Sequence, residues 1–371
     1  MRWKPVAACV VVLAVVLWAA LRSPKSKPET HGSQVSAASA LPAPGRAPAR
    51  FKAGGSGGFP PMEQPGTNFF QALAEGHWPQ LTAAQVAGYL AANHRNAGSL
   101  LAAYHTTSDR AFLEEAMAKY PNDPRVAYTA WFRGGPYANE AEESQARRHW
   151  LDVLEQAAPD NSMANYLSAQ NYFKSGQTEL AVQEMQAGGG KASFNDYTQE
   201  AIQDVQEAYV AAGLPESEAK AASTMGALLP DLAELKSDAQ SLAGLADTCR
   251  QSGDTASAQA ALQMCMDLGR RLDSPDSMTL IQQLVGIAIQ RIALHAMDPT
   301  TAVGDSGQTV QETDNALAQE RQGIRTLTNN QLEQSWLQSA SDADICAYFD
   351  RMRIFGEQNA LRWLAVRAAP Q

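Results

Sequence analysis

The stretch "APDNSMANYLSAQNYFKSGQTELAVQEM", Ala158–Met185, decides the fold. It reads as two short helices folded against each other, with Pro159 closing the front and Gly176 supplying the turn. The same grammar extends outward through most of the chain. Beyond residue 66, Ala, Gln, Leu and Glu dominate, all good helix formers, while Val and Ile are sparse. No region alternates apolar and polar residues as a half-buried strand does. With 371 residues and 45 % apolar content, the chain can bury a sizeable core. The expected class is all-α.

Helix boundaries are legible in capping chemistry. Thr82 with Gln85 forms a capping box before "AAQVAGYLAANH". Ser108 or Asp109 caps "RAFLEEAMAKY", and Asp123 precedes Pro124 at a first helical position. Ser341 with Asp344 opens "ADICAYFDRMRIFGEQNALRWLAV", read as one final helix. Stops are expected at Gly134-Gly135-Pro136, Gly188–Gly190, Gly213, Gly253 and Pro299. Helices of this length joined by short loops form antiparallel hairpins. "YPND" at Tyr120–Asp123 recurs as "APDN" at Ala158–Asn161, with the two prolines 38 residues apart.

From these marks the chain resembles the tetratricopeptide repeat, a helix–turn–helix unit of about 34 residues. A unit begun at Ser162 puts Asn165, Ser168, Ala169 and Tyr172 at the signature positions of its first helix. Gly176 takes the turn, and Ala181 and Met185 fill the second helix. A unit begun at Ala239 matches with Leu242, Leu245, Ala246, Cys249, Gly253, Ala258 and Leu262. The small pairs Ala169/Ala181 and Ala246/Ala258 suit a close helix crossing. A longer unit starts at Pro124, and a degenerate one lies near Ala208–Ala222. The signature Trp and Gly of the first helix are missing from both clear units. The resemblance implies hairpins stacked as a right-handed superhelix over 67–371, with the first helices lining a concave groove. Carried onto this chain, its groove positions are Met163, Tyr166, Gln170, Phe173 and Lys174, then Gln240, Ala243, Asp247, Arg250 and Gln251. Of these, Met163, Tyr166, Gln170, Phe173, Lys174, Asp247, Arg250 and Gln251 form the expected peptide groove. The aromatics would grip an apolar side chain, and Lys174 and Arg250 a carboxylate.

Charge divides the chain. Residues 1–66 hold 8 Lys/Arg and 2 Asp/Glu, leaving 21 basic and 37 acidic residues after them, a balance of −16. Such a domain repels phosphate, which argues against nucleic acid as a partner. The run Pro5–Leu21 is uncharged and flanked by Arg2, Lys4, Arg22, Lys25 and Lys27. As a helix it spans about 25 Å, a little short of a ~30 Å hydrocarbon core. Residues 1–22 are read as an uncleaved signal anchor that leaves the folded part extracytoplasmic, periplasmic in a bacterium. Secretion after cleavage is the alternative. Residues 23–66, rich in Pro, Gly, Ser and Ala, read as a disordered linker.

Nothing in the sequence carries recognisable catalysis. The six histidines include no His-x3-His pair, and no Cys-x2-Cys occurs, so no metal or cofactor is expected. "GGGK" at Gly188–Lys191 lacks the first Gly and the Ser/Thr of a phosphate loop. The cysteines are too few for a disulfide framework and are expected as buried free thiols, a Cys249–Cys265 bridge across a hairpin being the alternative. The expected function is a membrane-tethered adaptor that binds a protein or peptide. The alternatives are an all-α enzyme with an unrecognised site, and an assembly component that oligomerises through its hairpins.

Overall fold

The computed structural model describes residues 69–367 apart from Glu75, 275–276, 305–306, 329–335 and Gln338. The expected anchor at 1–22 and linker at 23–66 lie outside the described residues. Among the described residues every regular element is a helix, joined by two isolated bridges, Asn161 to Ser193 and Ala302 to Thr309. No described helix is long and apolar enough to cross a membrane.

Local chemistry sets the first helices. α1 is Phe69–Ala74 and α2 is Ala83–Ala92, the latter opened by the expected box: Thr82 Oγ1 accepts from Gln85 N, and Thr82 N donates to Gln85 Oε1 at 2.9 Å. α3 (Ala97–Thr107) and α4 (Arg110–Lys119) form a hairpin. Arg95 pairs with Glu115, and Tyr120 Oη donates to Arg95 O at 2.9 Å, joining the start of one helix to the end of the other. Asp123 caps α5 (Pro124–Arg133), with Pro124 in its first turn. α6 (Glu140–Ala157) folds back so that the Arg147 guanidinium lies 5.1 Å from the Trp131 ring centre.

The quoted stretch is α7 (Met163–Lys174) and α8 (Thr178–Gly190), turning at Gly176 with φ 73°. Ala169 and Ala181 are fully buried. Asn165 Nδ2 donates to Glu184 Oε2 at 2.7 Å, so the helices run antiparallel. α8 ends at Gly190, within the expected stop Gly188–Gly190. A Cβ at Gly188 would sit 2.9 Å from the Tyr166 ring, so this first glycine of the run also serves close approach.

α9 (Thr198–Ala211) and α10 (Glu216–Met225) form the next hairpin, with Gly213 at φ 96° in the turn. This pair leaves the stack. α9 lies on α3 and α2, where Gly98 admits the Asp204 carboxylate and Arg125 reaches the same group at 3.4 Å. α11 (Asp231–Gln251) and α12 (Thr255–Leu272) then return, and α7–α8 seats directly on them, α7 against α11 and α8 against α12. Cys265 is buried and Cys249 half-buried, and both are free thiols.

α13 (Leu280–His295) crosses α12 where Gly269 faces Gly286. A Cβ on Gly269 would lie 2.8 Å from Gln290 N and 2.9 Å from Gly286 O, backbone atoms that cannot step aside. α14 (Val310–Thr328) joins α13 through Arg291 and Asp314 at 2.6 Å. The expected single last helix is two, α15 (Asp342–Phe355) and α16 (Glu357–Arg367), because Gly356 adopts φ 81° between them. α15 packs on α10, tied by Lys220 to Asp350 at 2.9 Å.

Candidate binding site

The eight groove residues do not share one surface. Met163, Tyr166 and Gln170 are 0 %, 2 % and 1 % exposed, so they hold helices together rather than line an open channel. Gln170 Nε2 donates to Glu234 O at 3.1 Å, joining α7 to α11. Phe173 is half-buried. Lys174 is exposed and pairs with Glu234 at 2.7 Å. Asp247, Arg250 and Gln251 are exposed, with Arg250 held by Asp247 at 2.6 Å and by the Ala296 carbonyl. Tyr166 turns toward α8 and α12, away from any inner face. Its ring packs on Gly188, and the Arg271 guanidinium lies 6.0 Å from its centre.

Two openings flank the seven-residue strap from α8 to α9, residues 191–197. The strap is laced to the start of α7. Ser162 N and Oγ both donate to Ser193 O, at 3.0 and 2.8 Å. Asn161 Nδ2 donates to Asn195 O at 2.8 Å, and Asn195 N donates back to Asn161 Oδ1 at 2.9 Å. On one side a cavity of about 230 Å³ lies between α7, α8 and α12, walled by Tyr166, Met185, Met264 and Leu268, with Asp267 at its edge. On the other a cleft of about 120 Å³ opens between the starts of α9 and α13, walled by Phe194–Asp196, Thr198, Gln199, Leu229, Met278, Thr279 and Gln282.

The second opening has one acidic wall residue, Asp196, with Asp231 buried behind it close enough to feel its charge. Thr198 N donates to Asp196 Oδ1 at 3.0 Å, and burial holds this carboxyl above the ordinary range. Asp231, at the start of α11, is 0 % exposed. Its Oδ1 accepts from Tyr128 Oη at 3.0 Å, while Oδ2 has no partner among the described residues. Burial, reinforced by Asp196, pushes Asp231 up to about 7. Tyr128 in turn packs edge-on against Tyr197 at 5.7 Å, and its own ionisation is suppressed by burial and by Asp231. Further along α11, Asp238 is also 0 % exposed, with neither oxygen partnered among the described residues. Burial drives it strongly toward the neutral acid.

Sequence reasoning passed over Asp196, Asp231 and Asp238. Two of them left a signal. Asp231, Leu235, Asp238 and Leu242 recur at helical spacing, so both carboxyls stand in the apolar stripe of α11 rather than on its wet face. Asp196 left none, since its burial depends on the fold of the strap. Among the described residues no three His, Cys, Asp or Glu side chains gather as a metal site.

No protein-family model, curated protein or solved structure matches this chain.

Proposed function

We propose that this chain is a tetratricopeptide-like helical-repeat module that binds a protein or peptide and performs no catalysis. In this reading it is tethered to a membrane by residues 1–22 and stands outside the cytoplasm. The supporting observation is the seating of α7–α8 directly on α11–α12, across the intervening α9–α10 hairpin. Units that contact their spatial neighbours in this way build extended surfaces rather than closed catalytic chambers. The spare surface belongs to the outer ends of the hairpins and to the openings beside the strap. Lys174, Arg250 and half-buried Phe173 remain within reach of a partner.

The test is affinity capture with the immobilised full-length chain, competed by the same chain free in solution, then repeated with Phe173→Ala/Arg250→Ala. Saturable, competed capture of a protein is the expected result. Loss on double substitution places the contact at the α7 and α11 ends, and unchanged capture moves it elsewhere on the domain. Absence of any competed capture would end the adaptor reading.

A further inference from the structure

The cleft between the starts of α9 and α13 carries a carboxylate that meets no cationic partner among the described residues. Among the described residues Asp196 and Asp231 form no ion pair with any Lys or Arg, although both sit deep enough for burial to raise their pKa values. The rest of the polar wall is neutral and rich in acceptors: Asn195, Thr198, Gln199 and Gln282. Arg353, whose carbonyl accepts from wall residue Gln199 Nε2 at 3.3 Å, is held by Gln203, and Arg271 is engaged by the Ser193 carbonyl and Ser162 Oγ at the far end of the strap.

The rim is apolar and open. Leu228, next to the wall residue Leu229, is 66 % exposed. Ile354 and Phe355 are 64 % and 54 % exposed. They are carried to the cleft by Glu357 N, which donates to the carbonyl of wall residue Met278 at 2.8 Å. Exposed apolar side chains around a polar hole are the anatomy of a peptide anchor site.

We propose that this cleft receives the charged end of a lysine or arginine side chain from a peptide, whose neighbouring apolar residues lie on Leu228, Ile354 and Phe355. The assignment rests on the binding-module reading and names the chemistry of its partner. An ammonium or guanidinium donates to Asp196, the one charged residue of the wall, and its positive charge offsets the repulsion between Asp196 and the buried Asp231 behind it. A neutral guest leaves that cost in place, and an acidic one adds to it. The balance of −16 over residues 67–371 steers a basic peptide toward the surface from a distance.

The experiment selects random peptides displayed on phage against the full-length chain. It then measures synthetic peptides of the selected consensus by fluorescence anisotropy. The expected consensus carries Lys or Arg beside Leu, Ile or Phe. Replacing that Lys by norleucine, its uncharged isostere, should weaken binding by at least about tenfold, the worth of one charge-assisted hydrogen bond. Asp196→Asn should abolish the preference for Lys over norleucine. Leu228→Ser, at an exposed position, should weaken both peptides alike. Circular dichroism melts check that each variant is folded, and Leu228→Ser carries the test if Asp196→Asn is not. A consensus without a basic residue, an unchanged Lys-to-norleucine ratio in Asp196→Asn, or unchanged binding in Leu228→Ser would overturn the assignment and leave the module reading standing. Selection of no peptide at all would count against both.

Discussion

Where α12 crosses α13, Gly269 and Gly286 let backbone meet backbone. Where α9 crosses α3, Gly98 also makes room, but a carboxylate fills it: a Cβ there would lie 2.7 Å from Asp204 Oδ2. The first seam is set by close backbone approach, with a single carboxyl, Asp273, bonded by Gln290 Nε2 at 2.9 Å beside it. The second is specified by charge and hydrogen bonding, through Arg125 on Asp204 and Tyr89 Oη on Asp204 O at 3.2 Å, and Tyr128 on Asp231 extends the same chemistry to the meeting of α5 and α11. Shape is insensitive to solution conditions. A seam of buried carboxyls answers to pH, and it borders the cleft assigned to a basic guest.

The comparison breaks most visibly at Gly269. Gly269→Ala drives a methyl into backbone, a strain of about 1–3 kcal/mol or more, against a helix-propensity gain of about 1 kcal/mol. Urea unfolding should show a net loss of about 2 kcal/mol. In the other seam, Tyr128→Phe strips Asp231 of its one hydrogen bond. The expected loss is about 1–3 kcal/mol, recovered in part by adding Asp231→Asn, and a gain instead would show that the tyrosine carries no such role.

The pH profile sharpens the contrast. Burial raises Asp204 to about 6, with Arg125 opposing, and Asp231 to about 7. A carboxyl whose folded pKa lies above its unfolded value binds its proton more tightly when folded. Its stabilising contribution is therefore complete below the unfolded pKa and is lost as pH rises through the folded one. Denaturation from about pH 5 to about pH 8 should record a decline on the order of 1–3 kcal/mol, flattened in Asp204→Asn and Asp231→Asn. A flat profile in the unmodified protein contradicts the charged-seam account.

Smaller effects calibrate the scale. Gly244 lies inside α11, and a Cβ there meets nothing within 4 Å. Gly244→Ala should raise stability by about 0.5–1 kcal/mol in the same urea assay, from helix propensity alone. Lys174→Ala should cost no more than about 1 kcal/mol, because its direct contact with Glu234 is exposed on the lysine side and screened by solvent.

What the sequence made legible is what operates within a few residues. The Thr82 box, the Asp123-Pro124 start and the Ser341 cap are contacts spanning two to four positions, and each stands where expected. The alanines of the quoted hairpin are buried for the same reason: the partner helix follows at once. Tyr166 was harder, because which way an aromatic on α7 turns depends on α12, a helix that arrives only after the α9–α10 excursion. The acidic cleft was hardest. Tyr128 and Asp231 are 103 residues apart, and no local spacing announces that they meet. Gly356 shows the remaining kind of miss, a glycine within a helical pattern whose φ of 81° ends one helix and starts the next.

The departure of α9–α10 from the stack bears on how the chain closes and how it can be altered. Between Gly190 and Asp231 the chain leaves and returns while the hairpins on either side meet. Closure entropy grows only logarithmically with the length of such an excursion, about 0.6 kcal/mol for each doubling. The stack is thus nearly indifferent to how much chain is looped out, and the turn at Gly213 is a natural point for accepting an inserted segment. A reporter placed there would ride on the charged seam while leaving the α7–α8 and α11–α12 contact intact.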